Sequence, residues 1–383
     1  MMERIRMSSP EIDESDVQAV VEVLRSGTLS LGTKIVAFED AICQYLGVRH
    51  AVAVSSGTAA LHLIVRSLGL GAGDEVLLPS FSFAASANVL LYERAKPVFC
   101  DIDRRTFNLD PASVERKITP RTKAILAVDV FGHPVDWDGL GEIATSHNLL
   151  LIDDSCEAFG AEYRGRKVGQ FASAAAFSFY PNKPITTGEG GVIVTNDSEI
   201  ARLTRCLRNQ GRSEMGSWLQ HERLGFNYRM NEMSAVLGLS QLQRIGSFLE
   251  ARKRVAELYA ERLRSVPWVQ SPWVAEHVGM SWFVYVITLD EGIDRTAVVA
   301  ALQERQIPVR CYFSPLHLQS YISRYTDCRA GDLPVTESVA ERTLALPFHN
   351  RLSKAEVDEV VDALEDAVSR IYSKPRNHMV PNA

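Results

Sequence analysis

Residues 178–191 read SFYPNKPITTGEGG, and one lysine, Lys183, sits near the middle of the stretch. The residues before it, 174–180, are small and aromatic and predict a buried strand. The residues after it carry Thr186, Thr187 and three glycines and cannot sustain a helix. The apolar run VIVTND (192–197) then predicts a second strand that closes on a turn. Lys183 therefore lies in a tight connection between two strands, not on a solvated helix face. A lysine that forms a Schiff base needs a partly desolvated site, fixed geometry and close backbone approach. The glycines allow that approach.

Upstream, residues 148–152 predict a strand that ends at Asp153 and Asp154. In open parallel sheets ligands sit at the carboxyl ends of the strands, and side chains alternate along a strand, so the two carboxylates point apart. Further back, AVAV (51–54) runs into SSGT and a helix starting at about Thr58. Such a turn aims free N–H groups and the positive helix end at one point, which suits a phosphate. VLLP, PVFCDID and 123–131 (KAILAVDVF) predict further strands, with a helix over 84–92. This repetition builds a parallel sheet flanked by helices. At the N-terminus a helix is expected over 10–26 with Ser9 as its cap, then a second helix carrying Ile35, Phe38 and Ile42.

Downstream, 199–212 reads as a basic helix and the stretch after it as a loop containing Trp218, His221 and Arg223. Residues 234–263 read as one long helix or a pair. Beyond Gly246 come a strand (280–290), a helix (295–305), a strand over IPVRCYFSPLHLQ leading to a pocket edge, a helix (335–344), a short strand or turn, and a helix over 353–372 capped by Ser353 with Glu356. The expected fold is α/β: a large domain, 1–245, with a mainly parallel sheet flanked by helices, and a smaller C-terminal α/β domain, 246–383. The tail after Lys374 is expected to fray.

The chain has 383 residues, 46% hydrophobic and 23% charged, with a net charge of −6. That gives no basic footprint for nucleic acid. No apolar run reaches the ~20 residues of a membrane span, and the first residues hold no apolar signal core. Six cysteines without CxxC spacing imply a reduced, cytoplasmic protein with no metal cluster.

Four stretches, SSGTAALHL (55–63), DDSCEAFGA (153–161), SFYPNKPITTGEGG and GFNYRMNE (225–232), resemble in order and spacing the DegT/StrS-type sugar aminotransferases, over roughly residues 8–372. These have the fold-type I architecture and bind pyridoxal 5′-phosphate (PLP). The resemblance implies that Lys183 carries PLP and moves the proton, and that Asp154 keeps the pyridine nitrogen protonated. It further implies that Gly57, Thr58 and Ser178 hold the phosphate, that Phe83 stacks on the ring, and that Glu157 sits near the 3-hydroxyl. Asn227 would reach the phosphate of a neighbouring subunit, which implies a homodimer with shared active sites. His317 and Arg229 are the candidates on the substrate side. The implied reaction moves an amino group from L-glutamate to the keto sugar of a nucleoside diphosphate sugar. Another cyclic ketone, such as a keto-inositol or an amino-benzoate precursor, and a non-catalytic PLP-binding regulatory role are the alternatives. A dehydratase branch of the family has histidine at the lysine position, so Lys183 implies the aminotransferase branch. Two departures stand out: Pro184 where asparagine is common, and Asp129 where a less acidic residue is usual.

Overall fold

The computed structural model describes residues 5–213 and 220–372; Trp218 and the tail after Lys374 lie outside them. The chain opens with α1 (Glu14–Ser26), α2 (Thr33–Leu46), β1 (His50–Val54), α3 (Gly57–Ser67), β2 (Glu75–Pro79), α4 (Ala85–Tyr92) and β3 (Lys96–Cys100). It continues through α5 (Pro111–Lys117), β4 (Thr122–Val128), α6 (Trp137–His147), β5 (Leu150–Asp154), a short pair β6 (Glu162–Tyr163) and β7 (Arg166–Lys167), β8 (Ala174–Ser178) and β9 (Gly191–Thr195). Then follow α7 (Ser198–Arg208), α8 (Glu232–Leu242), α9 (Ile245–Leu263), β10 (Val269–Gln270), β11 (Val278–Gly279) and β12 (Tyr285–Leu289). The last elements are α10 (Arg295–Glu304), α11 (Pro334–Arg342), β13 (Thr343–Leu346) and α12 (Lys354–Tyr372).

Seven strands form one sheet in the order β1-β9-β8-β5-β4-β2-β3. Pairing is parallel from β8 to β3, and β9 runs antiparallel to both its neighbours. The expected mainly parallel α/β sheet is therefore present, and β9 is the one reversal in it. Helices cover both faces: Leu61 and Ile64 of α3 pack with Leu90 of α4 on one side, while Phe38 and Ile42 of α2 pack with Phe177 and Phe179 on the other. The centre of the sheet is buried from both sides, which is why β8 reads AAAF with no polar alternation. A separate core forms from the second half of α9 (Val255, Tyr259), β12 and α12. Ile5 joins this core, and Phe348 N–H donates to the Met7 carbonyl at 2.9 Å.

Three local expectations change. Helix α1 starts at Glu14, not Pro10, because Asp13 is the better cap: its carboxylate accepts from the Ser15 and Asp16 amides while Asp16 reaches back to the Asp13 amide. The strand expected to reach residue 131 stops at Val128. There the chain turns sharply, with Phe131 at φ 57°, because side chains capture its amides: Asn108 takes that of Val130 and Glu157 that of Phe131, at 2.9 Å each. The segment 307–319 forms no strand beyond a single bridge of Arg310 to Ala345. Its backbone is drawn to the large sheet instead, where Leu316 N–H donates to Ser80 O and His317 N–H to Ser80 Oγ.

Candidate active site

A cavity of about 440 Å³ opens where β5 and β8 end, beside the start of α3. Gly57 and Thr58, the first two residues of α3, line it, and the first amides of a helix have no intrahelical acceptor. Ser56 caps this end by accepting from the Ala59 amide at 3.1 Å. Position 57 tolerates only glycine: a Cβ there would sit 2.8 Å from both Ser178 Cβ and Cys156 Sγ. Gly191 is constrained likewise, since its Cβ would meet the Ser56 carbonyl at 2.6 Å. These two glycines let β9 and the mouth of α3 close on the cavity.

Lys183 enters from the loop between β8 and β9, with its side chain 11% exposed. Its Nζ lies 3.9 Å from Glu157 Oε1 and 3.8 Å from the centre of the Phe283 ring. Asp154 ends β5 on the cavity floor. Its Oδ2 accepts from Ser86 Oγ at 2.7 Å and its Oδ1 from the Cys156 amide at 3.3 Å. Burial pushes the Asp154 carboxyl upward, opposed by those hydrogen bonds and by the nearby Lys183 charge. Burial likewise raises Glu157, again opposed by Lys183 and by the Phe131 amide. The Cys156 thiol is pushed far up by burial and by Asp154, so it faces the cavity as a neutral thiol.

Of the residues expected from sequence, Lys183, Asp154, Glu157, Gly57, Thr58, Ser178 and Phe83 all line this one cavity. Phe83 stands at its mouth, 64% exposed. Three do not line it. His317 is a correction: it is 1% exposed, its ring held between Ser80 Oγ at 2.6 Å and Glu337 at 3.2 Å, because the loop that carries it is tied to β2. Arg229 turns to Asn209 Oδ1 at 2.9 Å. Asn227 is exposed and its backbone bridges to Asn209. Glu232, the last residue of GFNYRMNE, caps α2 by accepting from the Lys34 and Ile35 amides. Sequence reasoning missed Ser86, Phe283 and Cys156. Only Cys156 carried a local signal, its place between Asp154 and Glu157.

An amine and two carboxylates meeting at a helix start, at the carboxyl ends of a mainly parallel sheet, are the arrangement of a group-transfer enzyme built around a phosphorylated cofactor. The chain superposes on the solved structure of PseC from Helicobacter pylori, described as an aminotransferase involved in the biosynthesis of pseudoaminic acid, with a TM-score of 0.91 and 31% identity over 96% of this chain and 99% of that one. In sequence it is 42% identical to a GDP-perosamine synthase of Caulobacter vibrioides, over 95% of this chain and 98% of the relative. It is 36% identical to the spore coat polysaccharide biosynthesis protein SpsC of Bacillus subtilis, over 94% and 96%. Residues 10–365 match the DegT/DnrJ/EryC1/StrS aminotransferase family. The chain belongs to that family and is an aminotransferase.

Proposed function

We propose that this aminotransferase holds PLP on Lys183 and passes an amino group from L-glutamate to the keto sugar of a nucleoside diphosphate sugar, for amino-sugar biosynthesis. The observation that carries the reading is the meeting of Lys183 Nζ, the Asp154 carboxylate and the α3 mouth in one cavity. The residues fit the cofactor on three counts. The α3 start and Ser178 offer donors for a phosphate. The space over Gly57 is one that a Cβ would fill. Asn182, which lines the cavity, keeps a buried Oδ1 without a hydrogen-bond partner.

When bound, PLP supplies an electron sink for the bond to the substrate's α-hydrogen. The protein does the rest. Lys183 Nζ takes that proton and returns it. Asp154, ionised and satisfied by neutral donors, holds the ring nitrogen protonated. Glu157 places negative charge beside the Lys183 amine and offers an acceptor near the ring hydroxyl. Phe283 and Phe83 form apolar walls that keep water from the amine. Residues 1–245 form the cofactor-binding body in this reading, and 246–383 cover it through Phe283, Tyr312 and Phe313, which line the same cavity.

The active form is a homodimer in which Asn227 serves the neighbour's phosphate; its exposure, away from its own chain's cavity, supports this. The enzyme works in the cytoplasm. Among the described residues no disulfide joins any of the six cysteines, and no helix is long and apolar enough to cross a membrane.

A half-reaction screen tests the substrate. The protein is loaded with pyridoxamine phosphate and offered a panel of keto nucleotide sugars, keto-inositols and amino-benzoate precursors, while the return of the cofactor's absorbance is followed. Return with a nucleotide sugar, and release of 2-oxoglutarate when glutamate is supplied, is the expected result. Return only with a non-nucleotide ketone would overturn the substrate assignment.

A further inference from the structure

Arg252 lies on the buried face of α9, 3% exposed. Among the described residues no carboxylate lies within ion-pairing distance of it. Its partners are backbone carbonyls: Nη1 donates to Trp282 O and Phe283 O at 3.1 Å each, and Nη2 donates to Lys183 O at 3.3 Å. A buried cation without a counter-ion is expensive, and burial lowers this guanidinium to about 10, with Glu11 opposing. Core packing alone would be met more cheaply by a long apolar side chain. What an arginine adds is a rigid fork whose donors reach two chain segments at once.

The two segments matter. Lys183 carries the amine. Phe283 supplies the ring that lies 3.8 Å from that amine. Lys183's own amide is spent on Tyr180 O at 2.9 Å, so Arg252 completes the anchoring of its backbone. A lysine side chain has four rotatable bonds, and its tip is placed only if both the backbone root and the wall beside the tip are fixed.

We propose that Arg252 is a positioning residue for the Lys183 amine, clamping the lysine loop and the segment that carries Phe283 just before β12 into one rigid unit. This rests on the reading of Lys183 as the reacting group. Arg252 does not line the cavity; it acts through Lys183 and Phe283.

The test uses Arg252→Lys and Arg252→Gln in the full-length, PLP-loaded enzyme. A lysine ammonium keeps the charge but is too compact to hold both segments. Both variants are expected to lose about 10- to 100-fold in kcat, as misplacement of a reacting group does, with KM held within about twofold because substrate contacts are untouched. A second readout needs no turnover. In cofactor-free protein, acylation of Lys183 by an amine reagent is followed by peptide mass spectrometry against an exposed lysine such as Lys354. Loosening the clamp moves the amine off Phe283, so Lys183 labelling rises severalfold in both variants. If Arg252→Gln fails to fold, Arg252→Lys decides. A folded variant with wild-type kcat and unchanged Lys183 labelling overturns the proposal, and so does one that only loses thermal stability. If borohydride fixes PLP elsewhere than on Lys183 in the wild type, the functional reading fails, while the acylation ratio still reports the clamp.

Discussion

Ser86 Oγ, in the first turn of α4, donates to Asp154 Oδ2 at 2.7 Å. The single Ser86 hydrogen is thereby used, so the contact of Ser82 with Ser86 at 2.8 Å must be a donation from Ser82. A short hydroxyl relay thus runs from the cavity wall to the carboxylate. It satisfies Asp154 without neutralising it, as the role proposed for Asp154 at the ring nitrogen requires.

Removing the charge and removing its support should therefore differ in degree. Asp154→Asn keeps the shape but cannot hold the ring nitrogen protonated, and turnover should fall on the order of 10²-fold or more. Ser86→Ala leaves the charge but strips its shortest donor. A hydrogen bond to a charged group is worth about 1.5–3 kcal/mol, so a loss of roughly 10- to 100-fold is expected. Steady-state kinetics on both variants, with circular dichroism to confirm folding, makes the comparison. Full activity in Asp154→Asn would mean that another carboxylate does this work.

Beneath Asp154 lies a second arrangement with a pH signature. Ser155 Oγ is 2.6 Å from both Asp129 Oδ2 and Asp153 Oδ1. One hydroxyl hydrogen cannot serve two carboxylates, so one of the acids must carry a proton. Burial raises Asp153 well above the usual range and Asp129 from 3.8 to about 7. The folded protein then binds more protons than the unfolded chain between those values, and stability falls as pH rises through that window. Asparagine at 129 can accept from Val135 and donate to Ser155 with no proton to lose. The Asp129→Asn variant should match wild type near pH 4 and exceed it by on the order of 1–4 kcal/mol at pH 8. Denaturant melts across that range check this; a difference that stays flat with pH would place the proton elsewhere.

The shared-site reading of Asn227 makes a complementation prediction. Chains with Lys183→Ala and chains with Asn227→Ala each carry one defect. Mixed, they form heterodimers with one doubly defective site and one intact site. With Lys183→Ala in excess, each Asn227→Ala chain gains one intact site, so activity should rise towards half that of a wild-type dimer per heterodimer. The rise is limited by how much Asn227→Ala costs alone, ~1.5–3 kcal/mol for one phosphate hydrogen bond. If chain exchange is confirmed and activity never rises, Asn227 acts within its own subunit.

What could be read from the chain, and what could not, follows from how far apart the interacting residues lie. Lys183 among its glycines, Asp154 at a strand end and Gly57 at a helix start each announce themselves within a few residues, and the sheet order brings them together. Ser86 reaches Asp154 across 68 residues and Arg252 reaches Lys183 across 69, and nothing local marks either partner. Arg252 sits in the charged run EARKR (250–254), where only the placing of the helix against the lysine loop sets it apart from its charged neighbours. The place of His317 is hidden for the same reason: RCYFSPLH looks like a strand beside a pocket, but its amides bond to Ser80 and carry the imidazole into the interior. At the start of α1, the local signal of Ser9 and Pro10 lost to the mutual capping of Asp13 and Asp16.

The central claim is that Lys183 is the residue to which the cofactor is attached, and it can be tested without any knowledge of the substrate. Wild-type protein and Lys183→Ala are incubated with PLP, treated with borohydride, digested and analysed by peptide mass spectrometry. The expected result is one phosphopyridoxyl group per chain on the peptide containing Lys183 in wild type, none in Lys183→Ala, and the same far-ultraviolet circular dichroism for both proteins. Stoichiometric label on a different lysine, or equal label in the two proteins, would contradict it.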